Sequence, residues 1–219
     1  PTVGDNVTIP VGMTVTIDIN NAAANNITID GSLEYQSTPA AALAARNITV
    51  SSTGSFNAGS GALTTHALSV SENIVNDGIF DLSTTAGVGL TFLDNGNSVI
   101  SGSGSVTDVR TIIVNKGNAN AVVELASSNF SVQGTVADGA PMAFLTLTKG
   151  IFKVSGSFTL SGRFFSPAAY TINANSGFWL NNSNVTVSGQ AGNATLNGML
   201  RISNGVFNAG LASGNRFNF

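Results

Sequence analysis

Asp77, Asp81, Asp94 and Asp108, with Arg110 close behind, are the residues with the best prospect of doing chemistry. Two carboxylates held a few ångströms apart divide general acid and general base work, which is how glycosidic bonds are cut. These four would approach one another only if the chain coiled so that residues one turn apart became neighbours. The alternative is isolated corner carboxylates, with Asp77-Gly78 read as a turn. Calcium binding by this group has no support from spacing, since there is neither an EF-hand loop nor a glycine-aspartate nonapeptide. His66 is the sole histidine, so a Ser-His-Asp triad would have to use it. No serine sits in a nucleophile-elbow setting, and His66 reads as a corner or surface residue. One His and no Cys leave no zinc site. Gly59-Ser60-Gly61 and Gly102-Ser103-Gly104 lack the lysine and following helix of a phosphate cradle and read as turns. The sequence therefore predicts no catalytic, cofactor-binding or metal-binding residue and no cofactor.

Composition narrows the classes further. The 219 residues include 25 Gly and are 9% charged and 42% hydrophobic. That hydrophobic content argues against disorder, which needs low hydrophobicity with high net charge. With 8 Lys+Arg against 11 Asp+Glu, the net charge of -3 predicts no nucleic-acid partner. No run of about 18 apolar residues predicts a helical membrane span.

The elements that would position side chains form a repeat. Aliphatic-Thr/Ser-aliphatic triplets recur as Ile27-Thr28-Ile29, Ile48-Thr49-Val50, Leu68-Ser69-Val70 and Leu90-Thr91-Phe92, beginning 21, 20 and 22 residues apart. Each alternates with period two and reads as a strand. A second signal, Gly-x-large, runs through Gly31-Ser32-Leu33, Gly54-Ser55-Phe56, Gly78-Ile79-Phe80 and Gly104-Ser105-Val106, with glycines 23, 24 and 26 apart. Glycine there would turn the corner between strands. Strands this short cannot stand alone, but stacked about 4.8 Å apart they pair every backbone group. Asparagine suits such corners because it bonds to its counterpart one coil away. The expected fold is one all-β domain over residues 1–219, a right-handed parallel β-helix (β-solenoid) of about ten coils. The run Pro39 to Arg46 reads as a protruding loop or short helix. Ser101 to Asp108 and Ala137 to Met142 read as corner excursions.

Facing follows from Gly-x-large: if the third residue points inward, the middle one points out. The outward slot holds Ser32, Ser55, Ser105 and Ser157, but Ile151, Phe178, Met199 and Val206 later on. These four define an expected apolar stripe available to a covering segment or a partner. The same frame makes Trp179 a core residue and Phe178 its exposed neighbour.

The opening Gly4-Asp5-Asn6-Val7-Thr8-Ile9-Pro10-Val11-Gly12-Met13-Thr14-Val15-Thr16-Ile17-Asp18 resembles the start of β-helical regions in large Bacteroidetes surface proteins exported by the type IX secretion system. Phe178 to Asn182 and Arg201 to Asn208 are similar to later parts of such regions. The resemblance implies an extracellular, cell-surface, adhesin-like or scaffold protein without catalysis. Its implied partners are a surface glycan or protein and the outer-membrane secretion machinery. The chain, ending at Asn215-Arg216-Phe217-Asn218-Phe219 without a sorting domain, reads as a fragment of a longer protein. The competing expectation is a polysaccharide lyase or hydrolase. Convergence of Asp77, Asp81, Asp94, Asp108 and Arg110 on one groove would favour the enzyme, and their scatter the scaffold.

Overall fold

The computed structural model describes residues 1–84, 86–133, 143–166, 168–189, 191–210 and 217–218. The excursion expected at Ala137 to Met142, and Asn215, Arg216 and Phe219 of the terminal segment, lie outside the described residues. Among the described residues there is no helix, and every strand pairing is parallel.

Three strand-bearing faces wind around one core. The front face stacks Val7–Ile9, 26–29, 47–50, Ile74–Asn76, Ser98–Ser101, Val122–Leu125, 150–154, 176–180 and 199–202. A second face stacks Thr14–Ile17, Ser32–Tyr35, Ser55–Asn57, Ile79–Asp81, Val106–Val109 and Ser131–Val132. It is continued by Leu160–Gly162, 185–187 and 206–207. The third face carries 22–24, 42–45, His66–Val70, Val88–Phe92, Thr111–Asn115 and 145–149.

One column shows the stacking rule. Val7, Ile27, Ile48, Ile74, Ile100, Leu125, Val154, Leu180 and Ile202 are consecutive register partners on the front face. They lie 20, 21, 26, 26, 25, 29, 26 and 22 residues apart, which makes about eight turns rather than ten and a stack roughly 38 Å long at the usual inter-strand spacing. Ten turns would require the short early period throughout, whereas most turns after the second are longer.

The residues from Ala42 belong to strand Ala42–Val50, not to a helix or loop. Alanine's helix preference yields here to pairing of Ala44 with Ala23 on one side and Ser69 on the other. Leu43 stacks on Leu68 as part of the core. Inside the second face Tyr35 stacks on Phe56 at 5.8 Å, and Phe56 meets Phe80 edge-on at 5.5 Å. Later turns fill the core with Phe130, Phe144, Phe158, Phe164, Phe165 and Phe178.

At the corners the glycines do something other than turn. Gly31, Gly54, Gly78 and Gly104 have no left-handed φ, yet a Cβ on each would fall 2.3, 2.0, 2.2 and 2.5 Å from a carbonyl oxygen of the preceding coil. They are required by the close approach of successive backbones. Asparagines stack as expected, with the Asn26 amide donating to Asn6 Oδ1 at 2.8 Å and Asn47 to Asn26 Oδ1 at 3.0 Å.

Candidate functional site

The acidic set does not converge. Asp77 sits at the front–second corner, accepting from the Ser103 backbone N–H and hydroxyl. Asp94 lies beyond Val88–Phe92 at the third–front corner, in left-handed conformation with φ 70°. Arg110 occupies the second–third corner and donates from Nη1 to the Thr64 carbonyl at 2.8 Å. Only Asp81 and Asp108 are register partners, on the outward side of the second face. Asp81 accepts from the backbone N–H groups of Ser83 and Thr84 and from the Thr84 hydroxyl. Burial pushes the Asp108 carboxyl above its ordinary range, against bonds from Ser83 and Ser131, and Asp81 adds to the rise.

Two polar groups lie inside the solenoid, and one of them, His66, departs from the sequence expectation. His66 is buried, not a corner or surface residue, because it opens the strand His66–Val70 on its inward side. Its Nδ1 accepts the Ala41 N–H at 3.0 Å, and its ring lies 4.9 Å from Tyr35. That bond places the neutral-form proton on Nε2. Desolvation lowers the His66 pKa, and the Ala41 N–H, donated to the Nδ1 lone pair, likewise favours the neutral ring. The unfolded chain therefore takes up a proton near pH 6.5 before the folded one does. Stability is expected to be fully present above that pH and to fall as pH drops below it. Thermal melts across this range should show the decline, and H66F should flatten it.

Lys116 is buried within the third–front corner stack. Its ammonium donates to the Ser71 carbonyl at 3.1 Å, the Ser98 hydroxyl at 2.9 Å and the Leu93 carbonyl, tying together segments from three turns. Burial lowers its pKa, while Asp94 and Glu72 oppose the shift.

The most developed surface feature lies on the front face of the late turns. Glu124, Lys153, Trp179 and Arg201 are successive register partners, all outward. Lys153 pairs with Glu124 at 2.8 Å, and its ammonium lies 4.6 Å from the Trp179 ring centroid. The Arg201 guanidinium lies 4.0 Å from the same centroid, from the neighbouring rung. Trp179 Nε1 donates to Ser203 Oγ at 3.0 Å, and the Asn204 amide donates to Asn181 at 2.9 Å. A parallel outward row holds Val122, Ile151, Gly177 and Met199. Beside it a shallow groove of about 310 Å³ runs between Asn120, Asn175, Asn197 and Met199.

This arrangement corrects the expected stripe. Phe178 is fully buried and Trp179 partly exposed. The frame slips by one residue because Ser176, not Gly177, pairs with Gly150, so Phe178 stacks under Phe152. Gly177 takes the outward slot, where a Cβ would meet Met199 at 3.0 Å and Ile151 at 3.2 Å. Ile151 and Met199 do share the front face, whereas Val206 is exposed on the second. The Lys153-Trp179-Arg201 column escaped sequence reading because its members stand 26 and 22 residues apart and align only once register is known. A global charge of -3 also concealed a segregation: residues 1–45 hold four acids and no Lys or Arg, and residues 139–219 hold five Lys+Arg and no acid. That asymmetry was the available signal.

Fold and surface together define a parallel β-solenoid with a polar, partly cationic outer face on its late turns. Residues 1–75, roughly the first three turns, match the family model of the G8 domain, a domain typical of extracellular proteins. No curated protein and no solved structure matches the chain.

Proposed function

We propose that this chain is a non-enzymatic extracellular β-solenoid that spaces or displays binding surfaces at a cell surface, in the manner of an adhesin or scaffold. The observation that carries the reading is the scatter of the polar groups, with Asp77, Asp94 and Arg110 on three different corners. An extracellular setting is supported by the G8 match over residues 1–75. Export through the type IX machinery and a Bacteroidetes origin draw only on the sequence resemblance of the opening segment and of Phe178 to Asn182 and Arg201 to Asn208. Incubation of the chain with a panel of neutral and acidic polysaccharides is expected to release no new reducing ends or unsaturated products. Turnover of any of them would overturn the reading.

One observation favours the competing enzyme, namely the stacking of Asp81 against Asp108 with its raised carboxyl pKa. If that pair were catalytic, D108N would abolish whatever turnover the panel detects.

A further inference from the structure

We propose that the outward front face of the last three turns, centred on Arg201 and Trp179, binds a carboxylated polysaccharide laid along the solenoid axis. This rests on the non-enzymatic binding role proposed above and names its partner.

The argument begins with Arg201. Its guanidinium is stacked on Trp179, so its orientation is set before any ligand arrives. It has no carboxylate partner among the described residues, unlike Arg46, which pairs with Glu72, and Lys153, which pairs with Glu124. Residues 139–219, which surround it in sequence, contain no Asp or Glu. A planar, pre-oriented guanidinium with its fork unused matches the two oxygens of a carboxylate.

The surroundings favour a polymer over a lone ion. Lys153 and Arg201 are two rungs apart, roughly 10 Å at the spacing of stacked strands. Neutral hydrogen-bonding groups flank them at Ser155, Asn181, Ser203 and Asn204. A linear chain running along the axis would meet cationic and hydroxyl-binding groups in turn, repeated by the register of the rungs.

Single-stranded nucleic acid fits less well. Its binding sites offer open aromatic faces on which bases stack. Here Lys153 and Arg201 approach the ring of Trp179 from the rungs on either side.

The test is retention of the 219-residue chain on immobilised polygalacturonate at low ionic strength, with fully methyl-esterified polygalacturonate and single-stranded DNA in parallel. Retention on polygalacturonate is expected to be salt-sensitive and absent on the methyl ester. R201Q should weaken it by about tenfold, as loss of one bidentate charge pair implies, with R201K recovering part. W179A should weaken it less, and R46Q should leave it unchanged. Melting temperatures establish that each variant is folded, as expected for outward positions. Equal binding by R201Q and the parent chain, equal binding to the methyl ester, or tighter binding to DNA would overturn the proposal. Cleavage of the polymer would instead refute the non-enzymatic reading and leave the dependence on Arg201 standing.

Discussion

Replacing Gly54 with alanine is expected to destabilise the chain by about 3 kcal/mol or more, the scale of severe backbone overpacking. The added Cβ would lie 2.0 Å from the Ile29 carbonyl oxygen and 2.9 Å from its carbon. Neither atom belongs to a flexible side chain that could swing away. The Ile29 oxygen also accepts the Ser51 N–H at 3.0 Å, so displacing it would strain the corner that holds two coils together. The Gly54 N–H donates to the Ser51 carbonyl at 2.9 Å, which fixes the glycine in place. Denaturant unfolding of G54A beside G12A makes the comparison internal. Gly12 has nothing within 4 Å of its added Cβ, though its φ of 80° carries a conformational cost of its own. The larger loss should fall on Gly54. A G54A variant as stable as the parent would mean that the coils do not approach this closely.

Lys116→Ala is the second large effect, expected to cost about 3 kcal/mol. Its ammonium is the shared donor for the Ser71 and Leu93 carbonyls and the Ser98 hydroxyl. Alanine would leave these acceptors buried without that donor and vacate the volume of a long side chain. Lys116→Met separates the two contributions, since it restores much of the volume but none of the hydrogen bonds. Its loss should fall between alanine and the parent. Equal stability of K116M and the parent in denaturant melts would show that the three bonds contribute nothing net.

The sequence made the strand faces legible because stacking repeats chemistry at each rung. Ile27-Thr28-Ile29 and Ile48-Thr49-Val50 pair residue for residue as their alternation implied. The meeting of Phe56 with Phe80 followed from the same repeat. What could not be read was anything depending on exact register. Gly177 looked like one more corner glycine, yet the rung above starts one residue earlier, and that slip exchanges the facings of Phe178 and Trp179. The alanines from Ala42 to Ala45 carry a helical preference, and only pairing with the strands on either side overrides it. Lys116 has no pattern in the sequence to mark it as internal, and the corner that closes over it settles its burial. His66 is internal because it extends the inward alternation of Leu68 and Val70 by one step. The candidate site lay hidden for a related reason, because Lys153, Trp179 and Arg201 become neighbours only through the register of the late turns.

The central claim is that segments one turn apart lie directly over one another, and a disulfide test addresses it most directly. The chain has no cysteine, so introduced thiols report without interference. Ser32 and Ser55 are register partners whose hydroxyls bond at 3.1 Å, on the outward side of the second face. Adjacent strands place their Cα atoms about 4.8 Å apart, within the range that a disulfide spans. Under mild oxidation S32C/S55C should form an intramolecular disulfide nearly quantitatively, read by mass and by non-reducing mobility. S32C/S157C, separated by several turns, should remain reduced. An S32C/S55C protein that stays reduced under conditions that oxidise free thiols, or crosslinks no faster than the distant pair, would contradict the stacked solenoid.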